Sequence, residues 1–180
     1  MRKLVTFLLM SLLVISLHTP SLANMEEKLG KHWSAKIIDK DFLAHYFPYL
    51  AKEDFHRLNP DEPISEHEFL LSFSSLLKNK GYSITRLGWN SKLTRAQMAM
   101  DVGEKLIEIE VIHHGSGDIP FTDIDGLSNE AKEVLASLYH RGIIKGQSTT
   151  RYNPYANVTQ AEAIVVLQRV DQLLDGVNSK

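Results

Sequence analysis

The chain has 180 residues, no cysteine, and 20 Lys and Arg against 22 Asp and Glu. The lack of cysteine excludes a disulfide framework, a thiolate site and a lipidated bacterial N-terminus. A mildly acidic chain without a basic run is a poor candidate for binding nucleic acid.

The first residues point to export. Arg2 and Lys3 precede an apolar run from Leu4 to Leu17, broken only by Thr6, Ser11 and Ser16. Pro20 and the small-residue pattern Ser21-Leu22-Ala23 follow. This order predicts a signal peptide over 1–23, cleaved after Ala23. The alternative is a membrane anchor, for which the run is short of the roughly 20 residues a span needs. Cleavage leaves 180 − 23 = 157 residues, enough for one domain, with 18 basic and 22 acidic residues and a net charge of −4. With no second long apolar stretch, the product is expected to be secreted, extracellular or cell-wall associated, without a membrane span.

One pattern occurs three times: an aliphatic residue, a hydroxyl residue, two further residues, then Glu or Gln ahead of an apolar run. The copies are Ile64-Ser65-Glu66-His67-Glu68, Leu93-Thr94-Arg95-Ala96-Gln97 and Val158-Thr159-Gln160-Ala161-Glu162. Each has the form of a capping box with a hydrophobic staple, pairing Ile64 with Phe69, Leu93 with Met98 and Val158 with Ala163. The pattern predicts helices that start at Ser65, Thr94 and Thr159. Apolar stripes follow the caps, strongest at Phe69, Leu70, Phe73, Leu76 and Leu77, and weaker at Met98, Val102 and Leu106.

The flanks repeat as well. Asn59-Pro60 and Asn153-Pro154 stand at the same offsets before their caps, and Gly88-Trp89 takes that place in the middle copy. Ser128 is a candidate N-cap for a helix carrying Val134, Leu135 and Leu138, stopped by Gly142. A helix starting near Trp33 is expected at the equivalent place in the first copy. The middle copy is short, so its first helix is expected to be shortened or missing. His113 to Asp118, with two glycines, reads as an exposed loop. No strand is expected, and the fold class is all-α, with repeats at about 29–78, 79–110 and 118–174.

These residues resemble the S-layer homology repeat. Phe121-Thr122-Asp123 is similar to the family's opening Phe-x-Asp, and Gly142-Ile143-Ile144-Lys145-Gly146 to its Gly-Ile-Ile-x-Gly. Tyr152-Asn153-Pro154 is similar to its aromatic-x-Pro, and Val158-Thr159-Gln160-Ala161-Glu162 to its Ile-Thr-Arg-Ala-Glu. The first copy keeps His32-Trp33-Ser34, Asn59-Pro60 and Ile64-Ser65, and the middle copy chiefly Leu93 to Gln97. The resemblance implies three repeats in a pseudo-threefold bundle that binds anionic, typically pyruvylated, wall polysaccharide in grooves between repeats. It also implies that Trp33 packs in the core. The family's Arg after the capping Thr carries over to Arg95 alone, because Glu66 and Gln160 hold the matching places. The candidate glycan-binding residues are Arg95, Thr94, Gln97, Trp89, Asp123 and Gln160.

Arg95 at a helix start is mildly disfavoured by the dipole, by roughly 0.3–1 kcal/mol. Its guanidinium beside free N–H groups suits a carboxylate, although an exposed or salt-bridged Arg fits as well. On the glycan reading, Arg95→Ala is expected to weaken wall binding and to leave stability unchanged or raised. Asp123-Ile124-Asp125-Gly126 lacks the further ligands of a calcium loop and reads as a turn. The adjacent His113 and His114 do not make a metal pair on one helix face. No catalytic motif is evident, so no enzyme activity, cofactor or metal is expected. Two functions stand side by side: a non-catalytic module binding cell-wall polysaccharide, and a secreted scaffold for a protein partner that keeps the fold without most glycan contacts.

Overall fold

The described residues of the computed structural model, 22–83, 88–115 and 117–178, form seven α-helices and no strand. The expected leader lies outside them as far as residue 21. Three helices begin at the three capping boxes: α4 (Glu66–Asn79), α5 (Arg95–Glu108) and α7 (Gln160–Asn178). Ser65 Oγ accepts from Glu68 N at 3.2 Å, and Glu68 Oε2 accepts from Ser65 N at 3.3 Å. The same reciprocal pair joins Thr94 to Gln97, at 3.2 and 3.0 Å, and Thr159 to Glu162, at 3.3 and 3.1 Å. All six staple residues are buried.

Helix α6 (Asn129–His140) starts after Ser128, whose hydroxyl accepts from Ala131 N at 3.1 Å. It stops at Gly142, where φ is +71°, a left-handed conformation that glycine adopts without strain. Gly103 lets α5 approach α6 closely. A Cβ there would lie 2.3 Å from Val134 Cγ1.

The first repeat departs from the expectation. No helix starts near Trp33; residues 33–37 form a turn, with Ala35 N donating to His32 O and Ile38 N to Ser34 O. His32 Nδ1 lies 2.8 Å from Ser34 Oγ and also accepts from Ser34 N, a local arrangement that competes with helix propagation. The helices here are α1 (Leu22–Leu29), α2 (Lys40–Tyr46) and α3 (Pro48–Phe55). Asp39 caps α2 through Phe42 N at 2.8 Å, and Pro48 opens α3 at the position proline suits. Trp33 is 53% exposed and does not pack in the core. Leu43, Phe47, Leu50 and Phe55 supply that apolar volume instead. In the middle repeat, the described residues between α4 and α5 hold no helix.

The X-Pro segments satisfy helix starts that belong to other repeats. The leading N–H groups of any helix lack partners inside it. Those of Arg95 and Ala96 donate to Ala156 O and Pro154 O at 2.9 and 2.8 Å. Those of Gln160 and Ala161 donate to Glu62 O and Pro60 O at 2.8 and 3.2 Å. Between these junctions, Ile64 N donates to Val158 O and Val158 N to Leu93 O, at 2.9 and 2.8 Å. Residues far apart in sequence are thereby locked at the helix N-termini.

Gly146 closes the turn between α6 and α7. A Cβ there would sit 2.4 Å from Ser148 O, 2.6 Å from Arg151 O and 2.5 Å from Phe121 Cε1. Two of these neighbours are backbone and cannot move aside. Gly146→Ala is therefore expected to destabilise the protein by roughly 1–3 kcal/mol in urea denaturation; an unchanged midpoint would contradict this packing.

Candidate functional site: a groove between repeats

Arg95 is the first residue of α5 and is only 4% exposed. Its Nε donates to Tyr152 O at 2.7 Å, NH1 to Glu162 Oε1 at 2.6 Å and NH2 to Lys145 O at 2.8 Å. The guanidinium also lies 4.5 Å from the centre of the Tyr152 ring, a cation–π contact. The Tyr152 hydroxyl in turn donates to Arg95 O at 2.9 Å. Burial pushes the Tyr152 phenol well above the usual tyrosine range, so it stays a donor at physiological pH. Glu162 serves three partners, Arg95 and, at 3.5 Å, Gln147 Nε2 through Oε1, and the Thr159 cap through Oε2. One guanidinium thus ties α5, the Gly142–Gly146 turn, the Tyr152 segment and the start of α7.

The other residues that follow a capping hydroxyl also reach across repeats. Glu66 is 5% exposed, and its Oε2 accepts from Trp89 N and Asn90 N at 3.2 and 3.0 Å. Gln160 is 7% exposed, and its Oε1 accepts from Asn59 N at 3.0 Å. Each side chain fixes the segment ahead of the cap of a different repeat. All three residues that follow the capping hydroxyls thus hold bonds within the protein.

Asp123 works in the same way. Its two oxygens accept from Tyr152 N and Asn153 N, both at 2.9 Å, and this holds Asn153 at a φ of +57°. Burial pushes the Asp123 carboxyl up, but hydrogen bonds from the Tyr152, Asn153 and its own amides, with the nearby Arg151 charge, outweigh it and leave the group below its ordinary value.

Alongside this frame lies a groove of about 610 Å³. His32, Trp33 and Asp61 line one side, Arg95 and Met98 contribute from α5, and the Ile144–Gln147 turn and α7 complete it. From α7 come Glu162, Val165, Val166 and Arg169. Arg169 is half-buried, and its NH1 donates to Ile143 O at 3.0 Å. Burial pulls its guanidinium below the usual arginine range. His32 Nε2 approaches Asp61 Oδ1 at 3.3 Å while Nδ1 meets Ser34 Oγ. Ser34 is fully buried, so this serine–histidine–aspartate contact anchors the turn and does not present a hydroxyl to the groove.

Of the six residues singled out from sequence, only Arg95 lines the groove. Thr94 and Gln97 hold each other in the capping box. Trp89 is 85% exposed on the segment clamped by Glu66. Asp123 and Gln160 are engaged with backbone amides. Lys145, Gln147 and Arg169 were not singled out. Lys145 sits inside the Gly-Ile-Ile-Lys-Gly motif, which could have flagged it, whereas nothing local marks Arg169.

An all-helical protein whose helix starts are tied to one another by the segments ahead of the caps, with a groove beside them, is the class defined by this geometry. Residues 120–164 match the family model of the S-layer homology domain, a quarter of the chain. No curated protein matches the chain. S-layer homology domains are generally anchoring modules and not enzymes. Among the described residues, no helix is long and apolar enough to cross a membrane.

The bonds of Arg95 argue against the sequence-based expectation that Arg95→Ala spares stability. Substitution leaves Glu162 without its cationic partner and removes the donor from two carbonyls. The expected cost is about 3 kcal/mol, measured by chemical denaturation, and a change below about 0.5 kcal/mol would contradict the bonding described.

The lowered Asp123 carboxyl makes a pH prediction. A depressed folded-state value contributes stability above the ordinary aspartate range, and that contribution is lost as pH falls through the folded value. Asp123→Asn should therefore be less stable than wild type at pH 7. The difference should shrink as pH drops below about 4. A gap that widens on acidification would reverse the assignment.

Proposed function

We propose that the protein is an exported, non-catalytic module that holds to the bacterial cell wall by binding an acidic, pyruvylated wall polysaccharide in the groove beside Arg95. The leader over 1–23 would direct export and be cleaved after Ala23. The observation that carries the reading is the chemistry of the groove. It combines a half-exposed indole at Trp33 with the cations Lys145 and Arg169 on the opposing turn and helix. Aromatic faces stack on the apolar faces of sugar rings, and guanidinium groups pair with carboxylates. A polymer that carries both features is the ligand this wall chemistry suits. The family match over 120–164 supports the same direction.

A second reading is a secreted scaffold for a protein partner. Glu66 and Gln160 favour it, because both are buried and spent on junctions, leaving two of the three family arginine positions without a cation. The fully presented Trp89 would then be part of the partner surface.

Co-sedimentation with purified sacculi separates the two. The glycan reading expects the protein to pellet with sacculi that retain wall polysaccharide and to stay in solution once that polymer is stripped. Equal pelleting with both preparations, or with neither, would contradict it.

A further inference from the structure

We infer that, within the glycan reading just proposed, the acidic group of the ligand is received by Arg169, with Lys145 beside it, and not by Arg95. All three cations line the same groove. Their electrostatic situations differ. The Arg95 charge is already matched by Glu162 at 2.6 Å, and Nε, NH1 and NH2 each have a protein acceptor. A carboxylate approaching Arg95 meets the negative charge of Glu162 in the same wall. It would have to displace a bond that also holds the α7 cap, because Glu162 Oε2 accepts from Thr159 N.

Arg169 is the reverse case. Among the described residues it has a single hydrogen-bond partner, the Ile143 carbonyl, and no carboxylate. A guanidinium offers five N–H donors, so most of its capacity faces the groove unused. It is also half-buried, with its pKa pulled down by that burial, so an anion that replaced the lost hydration would gain a strong, charge-assisted contact. The apolar residues Val165 and Val166 on the same helix also line the groove. Lys145, exposed and likewise without a carboxylate partner among the described residues, adds a second positive charge. The groove carries Arg95, Lys145 and Arg169 against Asp61 and Glu162. Arg95 and Glu162 cancel, and Asp61 lies against His32; the three cations against two carboxylates leave the groove one positive charge in surplus, carried on the side of Arg169 and Lys145.

The test has two arms at fixed ionic strength. In the first, wild type, Arg169→Gln and Arg169→Lys are compared for affinity to sacculi bearing either native or carboxyl-reduced wall polysaccharide. Arg169→Gln should bind native polymer at least ten-fold more weakly while keeping a native circular dichroism spectrum at the assay temperature, and should no longer distinguish native from reduced polymer. Arg169→Lys should recover part of the loss. Binding by Arg169→Gln that equals wild type and still depends on the carboxyl groups would overturn the inference while leaving the glycan reading intact. In the second arm, side-chain Nε–H resonances of wild type are followed during titration with glucuronate and, as a neutral control, glucose. Arg169 Nε should shift with glucuronate only, and Arg95 Nε should stay in place. A shift confined to Arg95, or no shift at all, would overturn the inference. An Arg169 shift in a protein that does not bind sacculi would support the anion subsite and remove the wall reading.

Discussion

The bond between Arg95 and Glu162 organises the rest of the molecule. A cation at the first position of a helix opposes the dipole, at a cost of roughly 0.3–1 kcal/mol. A hydrogen bond to a charged partner contributes about 1.5–3 kcal/mol, and Arg95 makes one of these plus two to carbonyl oxygens. The balance favours keeping the guanidinium where it is. Because Glu162, 67 residues away in sequence, also completes the α7 cap, losing Arg95 would loosen that helix start. The Tyr152 ring beneath the guanidinium, and the Asp123 carboxylate that holds the Tyr152 amide, extend the same unit to the beginning of the last repeat.

This unit also explains how one protein can use the same chain position for different ends. Glu66, Arg95 and Gln160 follow the three capping hydroxyls, and each grips a neighbouring segment with the chemistry its side chain allows. Glutamate and glutamine accept from amides, and arginine donates to carbonyls. Once the position is committed to the frame, any ligand-facing charge has to come from elsewhere in the groove, as Lys145 and Arg169 do on the proposed reading. Binding an acidic polymer does not then require a basic protein, because the relevant charge is a local surplus in a groove.

The sequence reveals the local features well and the distant ones poorly. The starts of α4, α5 and α7 follow from capping boxes that span four residues each, and the stop at Gly142 from a residue that tolerates positive φ. These depend on neighbours in the chain, so pattern alone finds them. The turn at 33–37 was misread as a helix start. The tryptophan there suggested a packing anchor, whereas the His32–Ser34 contact and the Asp39 cap decide the backbone. The role of Arg95 was legible only in part. Its position in the helix was clear, but its partners Tyr152 and Glu162 are supplied by the fold, 57 and 67 residues on. Arg169 was invisible for the same reason, since an arginine on a helix shows its surroundings only when the Gly142–Gly146 turn is placed against it.

The claim that Arg95 belongs to the frame is tested most directly by a double-mutant cycle with Glu162. Arg95→Met and Glu162→Gln, alone and combined, would be compared by urea denaturation. Gln is chosen because Gln97 already serves as the reciprocal acceptor in the α5 cap. The account predicts a coupling energy of about 1 kcal/mol or more between the two positions. Additivity within about 0.3–0.5 kcal/mol would show that the pair is not coupled and that Arg95 is free for another role.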